Sequence, residues 1–135
     1  FGLVFLRPLG LRLEGEDVTL VATGLMVAKA LEAVKYLEAD GIHAGVIDIH
    51  TIKPLDSEII LKAAGKTGKI VVLEEHSVIG GLGSAVSELL SELFPIPVKR
   101  IGINDVYGRS GPAEELLHYY GLDTEGIYRQ VKGFL

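Results

Sequence analysis

The segment KIVVLEEHSVIGGLGSAVSELL, Lys69–Leu90, decides how this chain is read. It opens on the apolar run Ile70–Leu73 and passes Glu74, Glu75 and His76. It then crosses three glycines, Gly80, Gly81 and Gly83, into a patterned stretch. The short apolar run predicts a buried strand over Lys69–Glu74. After the glycines, Leu82, Ala85, Val86, Leu89, Leu90 and Leu93 recur at helical spacing, which predicts a helix with these residues facing inward. Strand, glycine turn and helix in this order make one βα unit.

The same alternation extends to both sides. Val18–Thr23 reads as a buried strand ended by Gly24. A helix follows, with Val27, Ala30, Leu31, Val34 and Leu37 on one face and Asp40-Gly41 as its stop. His43–Ile49 reads as the next strand. Pro54 breaks the chain, and Asp56 is placed to cap a helix whose apolar side is Ile59, Ile60, Ala63 and Ala64. Pro95 and Pro97 bound the helix after the glycines. Val98–Ile103 alternates more than the other strands and is expected near an edge. Ser110 is expected to cap a short helix with Pro112 in its first turn and Gly121 at its end. Asp123 is expected to cap the last helix, with Ile127 and Val131 inward. Before Val18, Leu3–Leu6 is expected as a short strand and Leu11–Asp17 as an extended or turning lead-in. Apolar strands joined by helices imply an α/β fold with parallel pairing and right-handed crossovers. Residues 1–17 are taken as lead-in segment and edge strand, and 18–135 as one α/β domain.

Composition sets limits. A chain of 135 residues suits one domain, and 48% hydrophobic residues with a mean hydropathy of +0.37 favour a sheet covered on both faces. The net charge is −5, with basic residues scattered, which argues against a nucleic-acid partner. Cysteine is absent, which excludes thiol catalysis and fits a reducing compartment. No apolar run approaches the roughly 20 residues of a membrane span. The chain begins at Phe1 without a signal-like segment, so a cytoplasmic fragment of something longer is expected.

The glycine segment admits three readings. Gly81-Leu-Gly83-Ser-Ala-Val86, followed by Asp105, resembles a dinucleotide fingerprint, but Val86 stands where a third glycine belongs and the first glycine is far from the strand. The second reading is a divalent metal. Asp48 and His50 share a strand face, as do Glu74 and His76, and parallel strands bring these residues to one carboxyl edge. The third is structural: Gly80, Gly81 and Gly83 permit unusual backbone angles and close packing, while free amides at the next helix N-terminus attract an anion.

Four motifs in order, DVTLVATG, HTIKPLD, KIVVLEEHSVIGGLGSAVSELL and YGRSGPAEELLHYYGLD, resemble the C-terminal domain of transketolase-like enzymes, most closely the separate C-terminal section of split transketolases. The resemblance covers Gly15 to Val131. It implies a three-layer sandwich with a mostly parallel five-stranded sheet and one antiparallel edge strand. It also implies a part in transferring two-carbon ketol units between phosphosugars, with the pentose phosphate pathway as the setting. Thiamine diphosphate and Mg2+ or Ca2+ would lie on the pyrophosphate- and pyrimidine-binding domains or subunits. Neither of these is recognisable here, since a Gly-Asp-Gly with a distant Asn-Asn is absent. On this reading the chain carries no catalytic, cofactor-binding or metal-ligating residue, is inactive alone, and belongs to a homodimer. Glu75, His76, Gly80, Gly81 and Gly83 are then expected to form an interface or effector loop. Val4-Phe-Leu-Arg7 is similar to a segment whose arginine grips a substrate phosphate, which makes Arg7 a phosphate-contact candidate. Leu25, where relatives often carry serine, and Arg109, where glutamate is frequent, depart from the pattern. Related alternatives are the corresponding domain of a 2-oxo-acid dehydrogenase β subunit or of 1-deoxyxylulose-5-phosphate synthase. An alternative of another class is a non-catalytic interaction or effector-binding module.

Overall fold

A computed structural model describes residues 11–49, 55–77, 81–103 and 121–135. The described elements are β1 (Leu11–Leu13), β2 (Val18–Ala22), α1 (Leu25–Ala39), β3 (Ala44–Asp48), α2 (Ser57–Thr67), β4 (Ile70–Ser77), α3 (Leu82–Leu93), β5 (Val98–Ile103) and α4 (Thr124–Phe134). The strands form one sheet in the order β1-β3-β2-β4-β5. β3, β2, β4 and β5 run parallel, and β1 pairs antiparallel with β3.

The side-chain period of two explains the layering. Val18, Leu20 and Ala22 of β2 meet Ala44 and Val46 of β3 and Val71 and Leu73 of β4 in one core, closed by α1 and α4. Val21, Ile47, Ile70 and Val72 point to the opposite face, where α2 and α3 close a second core. Every residue of β2 and β3 is buried, as strands covered on both faces must be. β5 lies at an edge of the sheet, as its alternation implies.

Several details depart from expectation. The antiparallel edge strand is Leu11–Leu13, within the segment expected to be lead-in; the strand expected at Leu3–Leu6 lies outside the described residues. Gly15 makes this edge possible. A Cβ there would stand 2.3 Å from both the Ala44 carbonyl carbon and the Gly45 nitrogen, so only glycine lets the chain cross β3 this closely. The turn is then fastened to His43, whose carbonyl accepts from the Glu16 and Asp17 amides while its own amide donates to Asp17 Oδ2 at 2.7 Å. β4 runs to Ser77, three residues beyond the expected Glu74. Leu93 is 61% exposed rather than inward: it is in phase with buried Val86 but lies in the last turn of α3, where the described residues cover nothing. The helix expected after Ser110 lies outside the described residues.

α4 is pinned to the end of α1 by a polar cluster. Tyr128 donates its hydroxyl to Asp40 Oδ2, and Lys132 Nζ stands 3.0 Å from the same oxygen and over the Tyr128 ring. The Tyr128 hydrogen bond, then Lys132, hold the Asp40 carboxyl below its ordinary range, and Asp40 in turn raises Lys132. Among the described residues no helix is long and apolar enough to cross a membrane.

Candidate functional site

Parallel pairing brings the carboxyl ends of β2, β3, β4 and β5 to one edge, where open α/β sheets usually bind their ligands. Two buried acids lie there, Asp48 on β3 and Glu74 on β4. Glu74 is 2% exposed. Its Oε1 accepts from the Leu82 amide at 2.9 Å and its Oε2 from the Gly83 amide at 2.8 Å. The carboxylate therefore grips the first turn of α3 across the glycine segment.

The local sequence explains why the cap comes from outside the helix. Gly81 is the N-cap of α3 and has no side chain, and the first turn holds no acid, so the orphan amides need another acceptor. A negative charge at that end also complements the helix dipole. Gly83 lets the three parts fit. A Cβ on it would lie 2.7 Å from Arg100 Cδ and 3.0 Å from Glu74 Oε2.

This geometry bears on two of the sequence readings. The Leu82 and Gly83 amides, which a dinucleotide pyrophosphate or another anion would use, are already taken by Glu74. For the metal reading, the same two bonds turn Glu74 toward the start of α3, and the candidate ligand His50 lies outside the described residues. Among the described residues no three of His, Asp and Glu converge.

The other helix starts are satisfied in their own ways. Asp56 caps α2 by accepting from Ile59 N at 3.3 Å, and Asp123 caps α4 by accepting from Gly126 N at 2.9 Å, both as the sequence predicts. At α1 the Met26 and Val27 amides donate to the carbonyls of Thr23 and Gly24. Gly24 turns there with φ 58° and ψ −133°, a conformation open to glycine. Leu25, the next residue, is 49% exposed at this edge.

Glu75 and His76 lie in β4 where its register with β5 breaks. Between the pairs Leu73↔Ile101 and Ser77↔Ile103, β4 advances four residues and β5 two. Such bulges redirect a strand at its rim. Gly81 begins α3 beside them, and Gly83 is buried in the first turn. Gly80 and Arg7 lie outside the described residues. The residues that sequence reasoning missed are Glu74 as a cap and Arg100 as its packing neighbour. The available signal was a helix start with neither an N-cap side chain nor a first-turn acid, preceded eight residues earlier by a glutamate at a strand end.

Residues 10–127 match the family model for the transketolase C-terminal domain. The chain is 48% identical over 116 residues to the 6-deoxy-6-sulfo-D-fructose transketolase subunit SqwH of Clostridium sp. strain MSTE9, across 86% of this chain and 36% of that one. It is also 48% identical over 117 residues to the 1-deoxy-D-xylulose-5-phosphate synthase of Heliobacterium modesticaldum, across 86% of this chain and 18% of the synthase. Among solved structures, a split-gene transketolase described as an inactive beta4 tetramer superposes with a TM-score of 0.86 at 54% identity, covering 91% of this chain and 40% of that one. The chain thus spans well under half the length of these relatives.

Proposed function

Given that this chain belongs to the transketolase C-terminal domain family, we propose that it is the C-terminal domain of a thiamine-diphosphate enzyme that transfers two-carbon ketol units between phosphosugars. The observation that carries the reading is the 54% identity and common fold with a split-gene transketolase. The domain is a scaffold, inactive by itself, and takes part in a homodimer. Its partners are the pyrophosphate- and pyrimidine-binding domains or subunits of the same enzyme.

Thiamine diphosphate and its Mg2+ or Ca2+ do not fit the donor set described here. Free amides at a helix start commonly hold a diphosphate, and two of those of α3 are capped by Glu74. A divalent ion would need converging oxygen or nitrogen ligands, and the described residues offer no such group. Both are assigned to the partner domains, and no step of the reaction is derived through them. The bulged end of β4 with Glu75 and His76, together with Gly80, Gly81 and exposed Leu25, forms the surface that meets those partners. Gly83 acts from behind, by letting α3 sit close to β4 and β5. Arg7 contacts a substrate phosphate in the assembled enzyme.

The test is a coupled assay with ketose and aldose phosphates, thiamine diphosphate and Mg2+. The expected result is no turnover from this chain alone and turnover when the partner polypeptide is supplied. Turnover by the isolated chain would refute the scaffold role. The identity to a 1-deoxy-D-xylulose-5-phosphate synthase supports a second reading, and formation of that product by the assembled enzyme would select it.

A further inference from the structure

The end of α1 joins two structural demands in one dipeptide. Gly41 leaves the helix at φ 79°, a backbone region that favours glycine. Its amide donates to the Glu38 carbonyl at 2.9 Å, and the Ile42 amide donates to the Leu37 carbonyl at 2.9 Å. These two bonds close the helix end, and Ile42 packs back on the core that holds Leu37. The residue before the glycine is Asp40, whose Oδ2 accepts from Tyr128 and stands 3.0 Å from Lys132 Nζ, fastening α4. The result is an Asp-Gly pair, and the chain has no other Asp-Gly and no Asn-Gly.

Such a pair carries a reaction of its own. The glycine amide nitrogen attacks Cγ of the aspartic acid. A Cγ–N bond forms, and the amide proton leaves with the carboxyl hydroxyl as water. The five-membered succinimide then takes up water at either carbonyl. Opening at one restores aspartate; opening at the other gives isoaspartate, whose main chain runs through the side chain with one added methylene. Only water is lost and regained. Glycine favours the attack because no side chain shields its nitrogen, and a Cβ on Gly41 would meet nothing within 4 Å among the described residues. Asp40 and Gly41 are both exposed to water. The fold opposes the reaction. With Asp40 at ψ 6°, the Gly41 nitrogen lies out of line with the Asp40 side chain, so the ring closes only if the turn rotates and breaks the Gly41 bond to Glu38. Tyr128 and Lys132 draw the carboxylate toward α4 and favour its charged form, a poor electrophile. Tyr36 of α1 packs against the Tyr128 ring, with centroids 5.9 Å apart.

We propose that Asp40-Gly41 is a latent isomerisation site held closed by Tyr128 and Lys132, and that release of the Asp40 carboxylate from α4 commits it to isoaspartate. The product moves the carboxylate off the position that Tyr128 and Lys132 hold and lengthens the link into β3, so the seam between α1 and α4 does not re-form as before. The inference is independent of the transketolase reading, since it uses none of the residues assigned to partner contact.

The experiment is prolonged warm incubation of the full chain at neutral pH, with isoaspartate at Asp40 followed by peptide mapping and electron-transfer fragmentation. The same chain unfolded in guanidinium sets the unrestrained rate. The folded parent should react at least about tenfold more slowly, because reaction waits on local opening. Tyr128→Phe keeps the ring and loses the hydroxyl, and should speed the folded reaction about threefold. Should that variant melt early, Lys132→Gln still decides: Lys132 is exposed, and its loss should speed the reaction about twofold. Glu125→Gln removes the Arg129 pair from the same helix without touching Asp40, and should react at the parent rate.

Four results would each overturn the proposal: equal rates in the folded parent and the unfolded chain; parent rates in both Tyr128→Phe and Lys132→Gln; isoaspartate gathering at Asp56 and not at Asp40; or equal acceleration in Glu125→Gln, which would trace the rate to general loosening of α4.

Discussion

Replacing Glu74 with glutamine changes one atom at the centre of the candidate site. The carboxylate accepts two backbone amides at 2.8 and 2.9 Å in a position 2% exposed to solvent. Hydrogen bonds to a charged group contribute about 1.5–3 kcal/mol each, and a buried donor left without a partner costs about 1–3 kcal/mol. Glutamine keeps one acceptor but turns an NH2 toward the second amide, so one bond is weakened and the other lost. Glu74→Gln should therefore destabilise the fold by about 2–4 kcal/mol, and Glu74→Ala by about 3–5 kcal/mol. Against a stability of about 5–15 kcal/mol, this is a large fraction. For a domain of this size it corresponds to a fall in Tm of about 10 °C for glutamine. Thermal melting at neutral pH measures it, and amide hydrogen exchange locates it, with faster exchange expected at Leu82 and Gly83. Glu88→Gln on the exposed side of the same helix is the control and should melt with the parent. A Glu74→Gln protein melting within about 2 °C of the parent, with unchanged exchange at those amides, would refute the internal cap.

Three further outcomes follow from the geometry. Gly15→Ala sets a Cβ 2.3 Å from backbone atoms of β3 that have no room to move, so β1 should detach from the sheet at a cost of about 3 kcal/mol or more, read from denaturant unfolding. The Asp40 carboxyl is held low in the folded chain, so its contribution is complete above the unfolded value of about 3.9 and is lost as pH falls through the depressed folded value; Asp40→Asn should lower Tm near neutrality, and the difference should shrink in strong acid. Lys132 is shifted upward, so its share holds below about pH 10.4 and fades as pH rises past its raised value; Lys132→Gln should therefore lose its effect on Tm only in strong alkali.

Periodicity made much of this fold legible. Val18–Ala22 and Ala44–Asp48 are mostly apolar because each is covered twice, and the caps Asp56 and Asp123 stand where a polar residue precedes an apolar helix pattern. What local pattern does not carry is any pairing between distant residues. Nothing near Leu11–Leu13 announces that it will pair with β3, because the permission is a contact between Gly15 and the backbone at Ala44 and Gly45, some thirty positions away. Leu93 was misread for a related reason: helical phase tells which way a residue points, while burial depends on whether another element lies there. In the glycine segment, the sequence singles out Glu75 and His76 for an interface or effector loop, whereas the residue with a demonstrable task is Glu74, whose partners lie eight and nine positions ahead.

That task bears on function. A parallel α/β sheet directs its helix starts toward one edge, and amides exposed there are the usual means of holding phosphate. Here each described helix start finds acceptors within the chain: α1 the carbonyls of Thr23 and Gly24, α2 Asp56, α3 the Glu74 carboxylate, and α4 Asp123. The α3 closure matters most, because an aspartate or serine N-cap satisfies one amide and leaves its neighbour available, while Glu74 takes two and brings a full negative charge. A phosphate approaching α3 would therefore meet repulsion in place of donors. An edge so arranged suits packing against other protein through backbone shape and exposed apolar groups such as Leu25. It follows that Glu74→Ala, if it still folds, should create weak phosphate affinity at Leu82 and Gly83 that the parent lacks. Amide shifts under a phosphate titration would show it, and an unresponsive variant with an intact α3 would mean that these amides were never the determinant.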